Sequence, residues 1–142
     1  MRSPVHTRVA HRVVPILVAV AALAMAGCGG EDPGDPIDTV ERIFEATVNG
    51  DGETACAIAT EDAQQNLIEE AGDPDASCEQ AVDSLAGVYP EDFAISDPEV
   101  LESDDESATV RVTISGAGSE QEDEIGLVVA DGEWRVAGDP AE

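Results

Sequence analysis

Lysine is absent from this 142-residue chain, and histidine occurs only at His6 and His11. Three of the six arginines lie within the first twelve residues, so positive charge beyond them comes only from Arg42, Arg111 and Arg135. Most of the chain therefore lacks the histidine of Ser-His-Asp and Cys-His arrangements and the lysine of Schiff-base enzymes and phosphate-binding loops. These absences argue against most nucleophilic enzymes, and we expect no cofactor.

Acidic residues, by contrast, are abundant. All 32 Asp and Glu follow residue 30, and with only three arginines among them the 115 residues from Cys28 onward carry a net charge of −29. Such a chain repels nucleic-acid phosphates and anionic lipid headgroups, so we expect no nucleic-acid partner and no membrane binding through the protein surface. The acidic residues could form a surface that binds calcium or a cationic partner, or a solvated face that maintains solubility. The solvated face is the favoured interpretation, because charge runs on a surface usually act through solubility.

The N-terminal segment has the layout of a secretory signal peptide. Arg2, Arg8 and Arg12 precede a largely apolar run of fourteen residues, Val13 to Ala26. A membrane-spanning helix needs about 20 apolar residues, so this run is too short to remain as an anchor by itself. We therefore expect residues 1-27 to be removed as a signal peptide.

Cys28 follows in a context that has two interpretations. Ala24-Met25-Ala26 fits an ordinary signal peptidase site, whereas Met25-Ala26-Gly27-Cys28 resembles a bacterial lipobox, in which the cysteine is acylated and becomes the first mature residue. Cysteine parity favours lipidation, because Cys56 and Cys78 then remain as an even pair in an oxidising compartment. A free or intermolecular thiol at Cys28 is the alternative.

The expected organisation is a lipidated tether followed by one domain. Residues 28-36 are rich in glycine, proline and acid and form the tether, and residues 37-140 suit a single α+β domain. The chain is then expected at the cell membrane, held on its extracytoplasmic face through the N-terminal lipid.

Apolar residues at helical spacing predict three helical regions before residue 90. The regions begin at Asp35, near Asp51 with a restart at Thr60, and at the capping box Ser77-Cys78-Glu79-Gln80. Cys56 and Cys78 fall in the second and third regions, where a disulfide would clamp the two together; two separate thiols are the alternative.

Alternating apolar residues after Pro90 predict strands. The first, around Phe93 and Ile95, is interrupted at Asp97-Pro98, and residues 108-114 form a half-buried second strand. The segment "SGAGSEQ" is expected to be a flexible loop. Arg111 and Arg135 should lie on the sheet face opposite the core and make surface ion pairs.

The dipeptide Asp131-Gly132 between two apolar runs predicts a two-residue hairpin. Counting outward from this turn, the predicted pairs are Ala130 with Glu133, Val129 with Trp134, and Leu127 with Val136. Turn and alternation agree, so the register is specified.

Two segments carry a family resemblance. "VERIFEATVNGD", Val40 to Asp51, is similar to the opening helix of the nuclear transport factor 2-like superfamily, and "VVADGEWRV" is similar to its closing hairpin. Cys56, and Cys78 within "SCEQA", match cysteines of small actinobacterial lipoproteins of this type. The resemblance spans Ile37 to Gly138 and implies a cystatin-like cone: an α+β fold with about three helices on a curved antiparallel sheet of three to four strands.

Enzymes of this superfamily, such as ketosteroid isomerase and scytalone dehydratase, use aspartate, tyrosine or histidine inside the cone. The resemblance implies an apolar pocket between helices and sheet, near Phe44, Tyr89, Phe93 and Trp134. These four aromatic residues could instead simply fill the core.

Candidates for acid and metal chemistry are weak in the sequence. Asp83 and Asp92 come nearest to a carboxylate in an apolar setting, and Asp104-Asp105-Glu106 lacks the ligand spacing of a calcium loop, so no metal is expected. The function expected is a non-catalytic extracytoplasmic lipoprotein domain, a cell-envelope accessory that binds a small apolar ligand or a protein. The alternative is a degenerate cone-fold enzyme, isomerase-like or dehydratase-like, that uses a carboxylate and Tyr89.

Overall fold

In the computed structural model, which describes residues 32–138, four helices precede a four-stranded antiparallel sheet. The helices are α1 (Pro36–Asn49), α2 (Gly52–Ile58), α3 (Glu61–Ala71) and α4 (Cys78–Ala86). The strands are β1 (Ala94–Ser103), β2 (Ser107–Gly116), β3 (Ser119–Ala130) and β4 (Glu133–Val136). Successive strands are neighbours in the sheet, in the order β1-β2-β3-β4. The predicted α+β class is confirmed.

Helix α1 begins and ends at its local sequence signals. The Asp35 carboxylate accepts a hydrogen bond from the Ile37 N–H at 2.9 Å, and Pro36 occupies the first helical position. Gly50, with φ of 72°, closes the helix in the left-handed conformation. The helix packs on the sheet through Val40, which is fully buried among residues of β2, β3 and β4.

The second predicted helical region restarts at Thr60 as expected and consists of two separate helices, so the domain has four helices rather than about three. The break lies at Ala59, whose backbone is extended and forms a parallel bridge with Val136 of β4. The Thr60 N–H donates to the Val136 carbonyl at 2.9 Å, and the Thr60 hydroxyl then caps α3 by accepting from the Ala63 N–H. The break thus joins the helical layer to the edge of the sheet.

Helix α4 begins with the predicted capping box, in which the Ser77 hydroxyl and the Gln80 amide oxygen each accept from the other residue's N–H. Cys78, the first residue of α4, forms a disulfide with Cys56 of α2, and their Cα atoms are 6.1 Å apart. The predicted pairing is confirmed. The bond holds α2 and α4 together across the exposed segment that joins α3 to α4.

The strand predictions hold except at one turn. Strand β1 has the expected interruption, since Asp97 has a φ of 50° and the register with β2 shifts between Ser96 and Glu99. The β3–β4 hairpin has the predicted register, with Leu127 opposite Val136.

The flexible loop expected at "SGAGSEQ" is wrong. Strand β2 extends to Gly116 and β3 starts at Ser119, so only Ala117 and Gly118 form the turn, with φ of 52° and 77°. The Ala117 N–H donates to the Asp92 carboxylate at 3.1 Å, which holds the turn against the start of the sheet.

The sheet buries one face against the helices, and its outer face carries the predicted ion pairs. Arg111 lies 3.2 Å from Glu124 and 3.9 Å from Glu99, and Arg135 lies 3.6 Å from Asp131. Within residues 32–138, no helix has the length and hydrophobicity that crossing a bilayer requires.

Candidate functional site

A cleft of about 330 Å³ lies between the helices and the inner face of the sheet, open to solvent on one side. Most of its wall is apolar and comes from α1, α3, the segment after α4, and three strands. The main apolar residues are Ile43, Phe44, Leu67, Phe93, Ile114 and Ile125. A cleft of this size and lining has the character of a small-molecule site.

Three of the four predicted pocket aromatics line this cleft. Tyr89 and Phe93 stack with ring centroids 4.3 Å apart, and Phe93 and Phe44 stack at 6.2 Å. All three side chains are half-buried and leave the cleft open between them. Phe44 also packs against the buried core residues, so it belongs to the core as well as to the cleft wall.

Trp134, the fourth predicted aromatic, lies elsewhere and is not part of the cleft. It packs in the core with Val40 and Val110, and its indole N–H donates to the Gly34 carbonyl at 2.9 Å. β4 is an edge strand that passes beside the residues preceding α1, so Trp134 anchors that segment. Hairpin register placed Trp134 on the inner face but could not show which part of that face it occupies.

Two polar groups of the cleft form a pair. The Tyr89 hydroxyl donates to Oε1 of Glu70 at 3.2 Å. Burial raises the pKa of Tyr89 to about 12, and the negative charge of Glu70 and its hydrogen bond act in the same direction. Tyr89 therefore stays protonated at neutral pH and remains a hydrogen-bond donor.

Asp123 and Gln121 supply further polar groups from β3. They lie four and two residues before Ile125 on the strand, so all three side chains point toward the helices. Asp123 lies opposite Val112 of β2. Asp123 also accepts a hydrogen bond from the Glu124 N–H at 2.9 Å. The inner face of the sheet is therefore apolar at Ile125 and polar at Asp123 and Gln121, where the cleft opens.

Sequence reasoning missed Glu70 and Asp123. The signals were present: Asp123 is two residues before Ile125 in a strand, and Glu70 is three residues after Leu67 in a helix, so each shares a face with an apolar residue. Both residues are exposed along their elements and resemble the many other surface acids.

The acids that the sequence favoured lie outside the cleft. Asp83 is exposed on α4, and Asp92 binds the β2–β3 turn. Asp104 accepts from the N–H groups of Glu106 and Ser107 at 2.8 and 2.7 Å, and these bonds lower the pKa of Asp104. Residues 104-106 therefore form a capped turn, and no metal-binding group of three or more His, Cys, Asp or Glu occurs in the described part of the chain.

The predicted lipidation site, Cys28, lies outside the described residues.

The sequence matches no protein-family model and none of the curated proteins. Among solved structures, the chain is similar to a provisionally named NTF2-like transpeptidase from Campylobacter jejuni, determined at 2.00 Å resolution. The identity is 16%, the TM-score is 0.48, and the match covers 73% of this chain and 98% of the other. The likeness concerns the fold alone.

Proposed function

We propose that this chain is a non-catalytic, lipid-anchored domain of the extracytoplasmic cell surface that binds a small, largely apolar molecule in the cleft. The observation that carries the proposal is the cleft itself, whose stacked aromatic and aliphatic wall faces open space instead of packing shut. Binding a ligand that covers exposed apolar surface of this kind lowers the free energy, because the surface is removed from water.

The extracytoplasmic location is supported by the cysteines and the charge. Cys56 and Cys78 pair with each other, which leaves Cys28 in its lipobox-like context as the third cysteine of the chain. A structural disulfide suits an oxidising compartment. The acidic surface would be repelled by anionic lipids, so a covalent lipid is the attachment that its chemistry allows.

A cone-fold enzyme is the second candidate, and one observation favours it. Glu70, Tyr89 and Asp123 line the same cleft, which brings a phenol and two carboxylates to one ligand-sized space. If they act in catalysis, Asp123→Asn should accumulate a substrate whose mass or retention time differs from that of the molecule held by the unaltered protein. The same molecule in both proteins supports the binding role.

Native mass spectrometry of the chain purified from its own host tests the binding proposal. We expect a small retained molecule, and we expect Leu67→Trp to lose it because the larger ring fills the cleft. Val88→Trp is the matched control, since the Val88 side chain is 73% exposed and lies outside the cleft. A thermal melt of each variant checks that it folds.

Retention of the same molecule by folded Leu67→Trp would place the binding site elsewhere. An unaltered protein that retains nothing, and that also fails to bind an apolar fluorescent dye in a Leu67-dependent way, would contradict the proposal altogether.

A further inference from the structure

The charge around the cleft has one sign. Glu70 and Asp123 are the two ionisable acids of its lining, and none of the arginines in residues 32–138 lines it. Arg42 and Arg135 border a separate depression beside Trp134, and Arg111 pairs with Glu99 and Glu124 on the outer face. The cleft thus combines an apolar wall with uncompensated negative charge.

The two carboxylates have hydrogen-bonding capacity to spare. Glu70 accepts from Tyr89 through Oε1, and Asp123 accepts from the Glu124 N–H through Oδ1. In residues 32–138 each carboxylate uses only that one oxygen, so Oε2 of Glu70 and Oδ2 of Asp123 are open to a ligand. A carboxylate accepts hydrogen bonds and donates none, so the complementary ligand group is a donor or a cation.

The aromatic stack, like the two carboxylates, attracts positive charge. The faces of aromatic rings are negative, and an ammonium group within about 6 Å of a ring centroid is attracted to them. Phe44, Phe93 and Tyr89 form a continuous stack beside Glu70, which hydrogen-bonds the Tyr89 hydroxyl. Because the Tyr89 hydroxyl donates to Glu70, a cation bound at Glu70 lies beside the aromatic stack.

We propose that the cleft selects amphiphilic organic cations: small molecules with an apolar body that covers Leu67, Phe93 and Ile125 and a protonated amine that Glu70 and Asp123 bind. The inference rests on the proposed binding function and names its ligand class. Anionic amphiphiles such as fatty acids are disfavoured, because their carboxylate would meet like charge without a basic partner. A volume of about 330 Å³ holds a body of about ten water-sized groups.

Three probes that share one skeleton test the inference: 1-naphthylmethylamine, 1-naphthylmethanol and 1-naphthoic acid, titrated against the purified full chain and followed by naphthalene fluorescence. We expect the amine to bind at least about fivefold more tightly than the alcohol, and the acid to bind most weakly. The preference for the amine should shrink between about 20 mM and about 0.5 M NaCl, since salt screens exposed charges.

Matched variants separate the two carboxylates from the overall charge. Glu70→Gln and Asp123→Asn should each weaken amine binding by about threefold to fivefold, as for exposed ion pairs, and leave alcohol binding unchanged. The controls are Glu69→Gln, beside Glu70 on α3, and Glu122→Gln, on the outer face of β3; both remove one charge and should change neither affinity.

The outcomes distinguish the two proposals. An alcohol that binds as tightly as the amine, or controls that weaken the amine as much as the cleft variants do, would refute cation selection while the binding proposal stands. If none of the three probes binds, cation selection is refuted, and native mass spectrometry with the apolar dye decides the binding proposal separately.

Discussion

The fold changes the acidity of Tyr89, the single tyrosine of the chain. Burial, the charge of Glu70 and the hydrogen bond to Glu70 raise its pKa from 10.0 to about 12. An absorbance titration of the phenolate at 295 nm therefore reports this residue alone, and we expect a midpoint near 12. Because the folded-state pKa is raised, the stabilisation by neutral Tyr89 is complete below pH 10.0 and is lost as the pH rises through about 12.

Two variants separate the contribution of Glu70 to the pKa shift of Tyr89 from that of burial. Glu70→Gln should lower the midpoint only in part, because burial is the largest cause and remains. Glu69→Gln, one position earlier on α3, should leave the midpoint unchanged. A midpoint near 10 in the unaltered folded protein would show that Tyr89 is solvated and does not form part of the cleft wall.

Residues whose role depends on near neighbours were predictable, and those whose role depends on distant ones were not. Asp35, Thr60 and Ser77 cap helices through backbone groups two or three residues away. Glu70 and Asp123 belong to the cleft only because α3 and β3, more than 50 positions apart in sequence, both line it. Their spacing shows that Glu70 shares a helix face with Leu67 and that Asp123 shares a strand face with Ile125. The spacing does not show that a cleft opens between those faces.

Among the elements, the β3–β4 hairpin depends on one glycine. Gly132 has a φ of 80°, and a Cβ there would meet no atom within 4 Å, so substitution tests backbone strain without a clash. We expect Gly132→Ala to lower the free energy of unfolding by about 1 kcal/mol, measured by urea denaturation.

Gly87→Ala is the control for this prediction. Gly87 closes α4 with a φ of −75°, an ordinary conformation for alanine, and a Cβ would come no closer than 3.5 Å to its neighbours. The free energy of unfolding of Gly87→Ala should stay within about 0.5 kcal/mol of that of the unaltered protein. Equal effects at Gly132 and Gly87 would contradict the strained turn.

The β2–β3 turn escaped prediction although it has the same geometry. Its first central residue is Ala117, with a φ of 52° that alanine rarely adopts, so the usual Asn-Gly or Asp-Gly signal is missing. The flanking residues Glu120 to Glu124 are almost all acidic and look like a loop. Ten consecutive pairs with β2, from Ser107 to Gly116, hold this part of β3 in the sheet.

For the whole molecule, the last residues of the expected tether contact the domain. The Gly34 carbonyl accepts a hydrogen bond from the Trp134 indole N–H, so the chain is joined to the domain two residues before Pro36. Gly34 lies beside Ser103 and Asp104, near the start of β2, whereas Ile114 of the cleft lies near its other end. Gly34 and Ile114 of the cleft therefore lie near opposite ends of β2.

The proposed anchor gives a prediction for the intact protein. The tryptic peptide from Cys28 to Arg42 should carry a diacyl mass, and Cys28→Ala should move the protein from the membrane fraction to the soluble fraction. The variant should melt like the unaltered domain, because the disulfide joins Cys56 to Cys78 without Cys28. An unmodified peptide that begins at Gly27 would mean ordinary secretion.

The sequence alone was enough for the helix caps, the β3–β4 register and the acidity, because each depends on a residue's own chemistry or on neighbours within a turn. It left a Cys56–Cys78 disulfide and two separate thiols as alternatives, and the packing of α2 beside α4 decided for the disulfide. Tertiary structure decided the bridge from Ala59 to β4, the separation of Trp134 from the other aromatics, and the cleft. These features depend on residues far apart in sequence: Ala59 bridges to β4, Trp134 donates to Gly34, and α3 and β3 line an open cleft. Periodicity shows which face of an element is buried, whereas the packing of whole elements decides where that face is left open.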